Sequence, residues 1–398
     1  MCSKVLGDLG ADVVKIEKPG GDPARTLGPF YGDIPDPEKS LYWFAFNMNK
    51  RGITLDIETA DGREIFKRLV ENAKIVVESF PPGYMDGLGL GYPALSEINP
   101  RIIVASITPF GQTGPYSGYK GSDIVAMAMA GMMYSTGEPD RAPVRISFPQ
   151  AYLHAGVEAA VGSLAAYYHR QMTGQGQHVD VSIQATMVSA TNNIQQYWAM
   201  NKILVQRAGP GRVSPVTGYV RRVIRQCKDG YMVNQLMGGP VGASTTRNLI
   251  KWLDEEGMAP DSAKQTVWEE FDLASMDPAE QRMIKSLNEA LDRLFLMRTK
   301  EEILLEGVKR RIFMYPVCTA EDLAKNPQLR VRDFWEEVEH PELDATVTYP
   351  GAFFKTTEAP WRIRRRAPLI GEHNEDIYEK ELGFSRKGLA TLKQGGVI

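Results

Sequence analysis

Along the first half of the chain the hydrophobic pattern changes period repeatedly, and the changes predict strands alternating with helices. VVKIE (Val13–Glu17), GITLDI (Gly52–Ile57), KIVVES (Lys74–Ser79) and RIIVASIT (Arg101–Thr108) are short apolar runs bounded by turn residues, as buried strands require. Between the second and third of these, DGREIFKRLVEN (Asp61–Asn72) predicts a helix, because Ile65, Phe66, Leu69 and Val70 fall on one face. The opening MCSKVLGDLG reads as a helix end closed by Gly10. A strand normally precedes such a helix, so a first strand is expected to be missing here. A start codon assigned too late is the favoured account, with true loss of the element the other.

The stretch from Pro143 to Ile183 carries a second pattern. Small residues at Ala155, Gly156, Ala159, Ala160, Gly162, Ala165 and Ala166 predict a helix with little side-chain bulk, which another backbone or a ligand can approach closely. TGQGQ (Thr173–Gln177) ends it with glycines able to take positive φ, and HVDVSI (His178–Ile183) then alternates like a strand. Together these elements predict an α/β fold with a Rossmann-like large domain and a mostly parallel sheet. Glycine and proline gather after the strands, in 19–37, 80–92 and 109–121, where open α/β sheets bind ligands.

Beyond a linker rich in glycine and proline (Gly209–Gly218) the character changes. A strand-like run, Asp229–Leu236, precedes acidic helical segments through Asp254–Arg282, which reads as a smaller α+β domain. The expected boundaries are 1–208 for the first part of the large domain, 219–315 for the small domain, and 316–398 for a segment returning to the large one.

Composition narrows the function without naming it. The 398 residues are 43% hydrophobic and 24% charged, enough for two cores, and the net charge of -3 gives no reason to expect nucleic acid. Cys2, Cys227 and Cys318 have no paired spacing, so neither a disulfide frame nor a zinc site is expected. With no apolar run of about 18 residues and no signal-peptide pattern, the expectation is a cytoplasmic protein with no membrane partner. GLGLG (Gly87–Gly91) lacks the dinucleotide spacing, there is no phosphate-binding lysine loop or nucleophile elbow, and the five histidines are scattered without metal-ligand spacing. No metal is expected. The basic run Arg362, Arg364, Arg365, Arg366 reads as a solvated face more readily than as an anion site.

Gly156, the run Gly162–Ala166 (GSLAA), TGQGQ and VDVS (Val179–Ser182) resemble the type III CoA-transferases, also called the formyl-CoA transferase family. There the pattern runs D-x-x-x-G, G-x-L-A-A-L, T-G-x-G-Q-x-V-D-V-S, and RAPLIGEH (Arg366–His373) matches a C-terminal run. The resemblance implies an interlocked dimer. It also implies a coenzyme A thioester as substrate, with no permanently bound cofactor. In such enzymes an aspartate attacks a donor thioester, and mixed anhydrides and an aspartyl-CoA thioester follow.

At the position of that aspartate this chain has Tyr152, and its neighbours Gln150, Ala151 and His154 carry no carboxylate either. A phenol near pH 7 is protonated and cannot play an acyl carrier's part. No catalytic residue is therefore expected in this chain, with Asp123 a weak alternative whose plainer reading is a helix cap. In related racemases a histidine precedes that aspartate; here it is Ser122. By resemblance, Lys18, Ser79, Phe80 and Gly83 are the candidate contacts to coenzyme A, while Gly87 stands where the family often has arginine. The implied partner is a homologous subunit that keeps the aspartate. The implied reaction moves CoA from a donor such as succinyl-CoA to a carboxylic acid such as benzylsuccinate. A self-sufficient transferase or racemase with a relocated acid, and a CoA-binding scaffold without catalysis, are the alternatives. Tyr197, Trp198 and Trp252 are available to line an aromatic pocket, though core packing is the plainer use.

Overall fold

Two parallel ladders carry the first half of the chain: β1 (Val13–Glu17) with β2 (Lys50–Thr54), and β3 (Ile75–Glu78), β4 (Ile103–Thr108) and β5 (Gln177–Ser182) with β4 in the middle. The computed structural model describes residues 1–191, 194–214, 219–359 and 361–398. They divide into two units, one of Met1–Ala130, Ile146–Ala190 and Asn326–Ile398, the other of Gly131–Arg145 and Thr191–Lys325. This division draws Gly131–Arg145 and all of 191–208 out of the region that sequence assigns to 1–208. Arg207 explains the grouping: its guanidinium donates to the carbonyls of Tyr134, Glu138 and Arg141.

In the first unit the elements follow the hydrophobic pattern. Up to residue 190 its helices are α1 (Cys2–Asp8), α2 (Leu41–Asn47), α3 (Ala60–Asn72), α4 (Tyr84–Gly87), α5 (Tyr92–Ile98), α6 (Asp123–Met129), α7 (Ala151–Thr173) and α8 (Ile183–Ala190). No strand precedes α1 among the described residues, and β1 follows it after a turn in which Gly10 takes φ +109°. Thr59 caps α3, accepting from the Gly62 N–H, and α3 buries Ile65, Phe66 and Val70. These join Ile53, Leu55, Leu90, Leu95 and Val104 in one core over the strands. β4 is almost wholly buried, which is why its sequence is a continuous apolar run.

The small residues of α7 do admit a close neighbour, and it is α1. Ala155, Gly156, Ala159, Ala160, Ser163 and Ala166 are buried, and a Cβ on Gly156 would lie 2.4 Å from the Met1 Cβ. Gly174 ends the helix at φ +79°, its N–H donating to the Arg170 carbonyl at 2.8 Å.

The C-terminal segment lies along β2. Gly52 N–H donates to His373 Nδ1 at 3.2 Å, His373 N–H donates to Gly52 O at 2.9 Å, and Thr54 N–H donates to Asn374 Oδ1 at 2.9 Å. Arg366 pairs with Glu342 and Glu372, and Arg364 donates to the Gly7 carbonyl, so these two members of the basic run hold the fold.

The second unit is antiparallel. It contains α9 (Ile194–Asn201), a pair β6 (Gly211–Val213) and β7 (Val220–Arg222), and a sheet of β8 (Ile224–Cys227), β9 (Gly230–Asn234) and β10 (Met314–Pro316) with β9 central. Its other helices among the described residues are α10 (Gly239–Glu255), α11 (Asp261–Gln265), α12 (Pro278–Leu296), α13 (Lys300–Arg310) and α14 (Ala320–Lys325). Two expectations change here. The linker Gly209–Gly218 supplies β6, while its residues 215–218 lie outside the described set. The acidic stretch is not helical between Gln265 and Pro278; there Trp268, Phe271, Leu273 and Met276 turn inward to the core. Trp252 is 1% exposed in that same core, and Trp198 is half-exposed on α9.

Candidate functional site

Tyr152 is the second residue of α7, and what holds it is Asp123. The Tyr152 backbone N–H donates to Asp123 Oδ1 at 3.1 Å. Asp123 is only 6% exposed, and its Oδ2 is buried with no hydrogen-bond partner. The expected cap on its own helix is therefore not what forms: Ser122 makes no side-chain cap to α6, and the Asp123 carboxylate crosses to the first turn of α7. Free N–H groups at a helix start and the positive end of its dipole favour a carboxylate there. Partial burial pushes the Tyr152 phenol above its ordinary pKa; a hydrogen bond with the Asp123 backbone opposes the shift, and the Asp123 charge adds to it. Tyr42 is raised as well, by burial first and then by Tyr152, Asp22 and Asp123. Both phenols are thus neutral hydrogen-bond donors near pH 7, not nucleophiles.

The four residues nominated for coenzyme A sit on loops after β1 and β3, tied by an unforeseen contact. Lys18 Nζ lies 2.7 Å from Glu58 Oε2, and the Tyr84 hydroxyl donates to Glu58 Oε1 at 2.7 Å. Glu58 belongs to the turn after β2, so three strand-end loops converge on one carboxylate. Hydrogen bonding to Glu58 raises the Lys18 ammonium above its ordinary pKa, and Lys18 and Tyr84 together lower Glu58. Phe80 is 39% exposed and stacks on Tyr84, with ring centres 4.6 Å apart. Gly83 takes φ +82° as it opens α4, which explains its glycine. Ser79 is exposed beside Phe80. A Cβ on Gly87 would meet nothing within 4 Å, so the arginine position of the resembling family is open space here. Glu58 and Tyr84 escaped the sequence reading; the acid-rich turn Asp56–Glu58 at the end of a strand was the available signal.

Next to this loop a cavity of about 460 Å³ lies against β3, β4 and β5, lined from those strands by Glu78, Val104, Ser106 and His178. Glu78 Oε2 accepts from the Phe80 N–H at 2.7 Å, which anchors the loop. Ser106 Oγ lies 2.9 Å from His178 Nε2, and Tyr92 stacks on His178 with ring centres 5.8 Å apart. Burial pushes the Glu78 carboxyl upward, opposed by Ser106, the Phe80 N–H and His178.

Parallel strands with glycine- and proline-rich loops at their ends, beside a long small-residue helix, make this an α/β protein. The chain belongs to CoA-transferase family III, whose description matches residues 1–374. It is 36% identical to the succinyl-CoA:(R)-benzylsuccinate CoA-transferase subunit BbsE of Thauera aromatica, over 100% of this chain and 94% of that protein. It is 32% identical to a formyl-CoA:oxalate CoA-transferase of Streptomyces coelicolor, again over 100% of this chain and 94% of the relative. Among solved structures, a CAIB/BAIF family protein from Brucella suis superposes with a TM-score of 0.78 at 29% identity, covering 95% of this chain and 94% of that one. Among the described residues no group of three or more histidine, cysteine or acidic side chains is placed to hold a metal, and no helix is long and apolar enough to cross a membrane.

Proposed function

We propose that this chain is the supporting subunit of a heteromeric CoA-transferase whose catalytic carboxylate is carried by a homologous partner. The observation that carries the reading is Tyr152, a partly exposed phenol on the first turn of α7 at the place where the family pattern has its aspartate. The similarity to BbsE, which is named a subunit, supports the assembly and suggests succinyl-CoA as donor and a benzylsuccinate-like acid as acceptor. The partner's carboxylate attacks the thioester carbonyl and expels the CoA thiolate, leaving an anhydride. The thiolate then attacks the enzyme's own acyl carbon and releases the donor acid. Attack by the acceptor carboxylate and return of the thiolate complete the exchange and restore the carboxylate.

In this chain Lys18, Ser79, Phe80 and Gly83 are the proposed contacts to coenzyme A, a substrate and not a resident cofactor. The proposed layout keeps a large domain begun by 1–208 and rejoined by 316–398, with 219–315 as the small one, in an interlocked assembly. A reducing cytoplasm fits three free cysteines.

Native mass spectrometry of the tagged chain from its own source tests the proposal. A co-purifying chain of similar size with the D-x-x-x-G pattern supports it, and a homodimer that turns over alone overturns it. The unpartnered Asp123 Oδ2 favours a second reading, in which Asp123 serves as the acid of a self-sufficient enzyme. Loss of all turnover in a folded, assembled Asp123→Asn enzyme would select that reading.

A further inference from the structure

At the edge where β3, β4 and β5 begin, the other end of the strands from the loops assigned to coenzyme A, three cations stand without an acid. Lys74 precedes β3, Arg101 precedes β4, and Arg170 lies in the last turn of α7, ahead of β5. Arg170 is the telling one. It is 8% exposed, its Nε is buried with no hydrogen-bond partner, and its guanidinium lies 5.7 Å from the centre of the Tyr167 ring. Among the described residues none of the three side chains makes a hydrogen bond or an ion pair. Glu71 and Glu97, the acids nearest to Lys74 and Arg101 in sequence, pair with none of them.

The turn between α7 and β5 holds the two arginines side by side. Gly174 N–H donates to the Arg170 carbonyl at 2.8 Å, and Gly176 N–H donates to the Pro100 carbonyl at 3.0 Å, so one short turn grips the backbone at both. Burial first, and then the like charge of Arg101, push the Arg170 guanidinium below its ordinary pKa. The dipole of α7 favours a cation at this end, which accounts for the sign of the residue. It does not pair it, since no carbonyl of the last turn accepts from the guanidinium. A buried charge is costly unless it is paired and hydrogen-bonded. A guanidinium presents its N–H donors as a fork that matches two oxygens of a carboxylate or a phosphate. A second guanidinium and an ammonium at the same edge favour a ligand with two negative charges.

We propose that Arg170 and Arg101 bind a small, doubly charged oxyanion at the edge where the strands begin. Arg170 donates from its buried position, Arg101 donates from the solvent side, and Lys74 adds attraction at longer range. Because the coenzyme A contacts lie at the other ends of the strands, the site is separate from them, and the inference does not rest on the transfer reading. The oxyanion is free phosphate or a free dicarboxylate.

The test is calorimetric titration of the full chain with inorganic phosphate and, separately, with succinate, the ionic strength being held constant with sodium chloride. Saturable binding of either ion is the expected result, and the tighter of the two identifies the source. Arg101→Gln, a change at an exposed position, weakens binding about tenfold, the effect of one lost charge-assisted hydrogen bond. Arg170→Met keeps the apolar stem and removes the charge, so it abolishes binding. Thermal denaturation gives a second readout that does not need calorimetric heat. Adding the ion raises the midpoint of the parent chain and leaves that of Arg170→Met unmoved. In chloride alone Arg170→Met is at least as stable as the parent, because an unpaired buried charge has been removed. No saturable binding of either ion, affinity unchanged in Arg101→Gln, or a loss of stability in Arg170→Met that is the same with and without the ion overturns the proposal. Displacement of the ion by coenzyme A would place it on the coenzyme A loops and overturn it as well. The readout is binding to the isolated chain, so its failure is distinguishable from a failure of CoA transfer.

Discussion

Tyr152 and Asp123 are joined through the backbone: the tyrosine N–H donates to Asp123 Oδ1 at 3.1 Å, so this carboxylate secures the first turn of α7. Asp123 is 6% exposed and its Oδ2 has no hydrogen-bond partner, so one oxygen of the buried carboxylate is satisfied and the other is not.

Asp123→Ala removes the acceptor and is expected to lower stability by about 0.5–2 kcal/mol, the range for a lost helix cap. Asp123→Asn keeps an acceptor oxygen and costs less. In the assembled enzyme Asp123→Asn and Tyr152→Phe are both expected to leave turnover within about twofold, since neither side chain carries the acyl group in the proposed mechanism. Thermal denaturation and steady-state rates on the same samples check both halves.

The TGQGQ turn makes a sharper stability prediction. Gly176 N–H donates to the Pro100 carbonyl, and a Cβ on Gly176 would lie 1.9 Å from the Ile102 carbonyl oxygen. Gly176→Ala must push β5 away from the chain entering β4, at a cost of about 1–3 kcal/mol or more. Gly174, at φ +79° with nothing within 4 Å, pays only for backbone conformation. Gly174→Ala is therefore expected to cost about 1–2 kcal/mol, the smaller loss of the two in urea denaturation.

His373 gives the fold a pH dependence. Gly52 N–H donates to His373 Nδ1, a bond that needs that nitrogen unprotonated. Burial is the main cause that pushes the imidazole below its ordinary value of 6.5, with Glu372 opposing. A base depressed in the folded state stabilises the fold above its unfolded pKa, and that contribution is lost as pH falls through the lower folded pKa. Stability should thus decline as pH is taken from about 7 to about 5. His373→Asn places a non-titrating acceptor near Nδ1 and should flatten that part of the curve. Parallel denaturation curves for the two proteins over this window would refute the assignment.

Much of the first unit is legible in the sequence because local pattern and burial agree there. Ile65, Phe66 and Val70 mark the buried face of α3, and the apolar run around β4 announces a strand covered on both faces. Where distant residues decide, the pattern is silent. Nothing near Asp123 shows that its carboxylate will cap α7, and nothing near Lys18 shows that Glu58 and Tyr84 will claim it. Trp268 and Phe271 break the helical reading of an acidic stretch because tertiary burial outweighs local propensity. Arg207 likewise gathers Gly131–Arg145 into the second unit by contacts to backbone carbonyls more than sixty residues away.

The proposed coenzyme A loop can be tested by restoring a charge. Lys18 is held 2.7 Å from Glu58, so turning it toward a phosphate breaks an ion pair that already satisfies it. Lys18→Ala is therefore expected to change CoA affinity by no more than about threefold, because a solvent-screened ion pair contributes little. Gly87 differs: it ends α4 in open space, and a side chain there meets no atom within 4 Å of its Cβ. Gly87→Arg adds a fixed guanidinium at the position where the resembling family often has one. A charge-assisted hydrogen bond to phosphate contributes about 1.5–3 kcal/mol, so CoA should bind at least about tenfold more tightly. Titration calorimetry with coenzyme A at two salt concentrations reads both the gain and its electrostatic origin, because screening should reduce it. An unchanged affinity would show that the CoA phosphates do not approach this loop, and would move the search for them away from Ser79, Phe80 and Gly83.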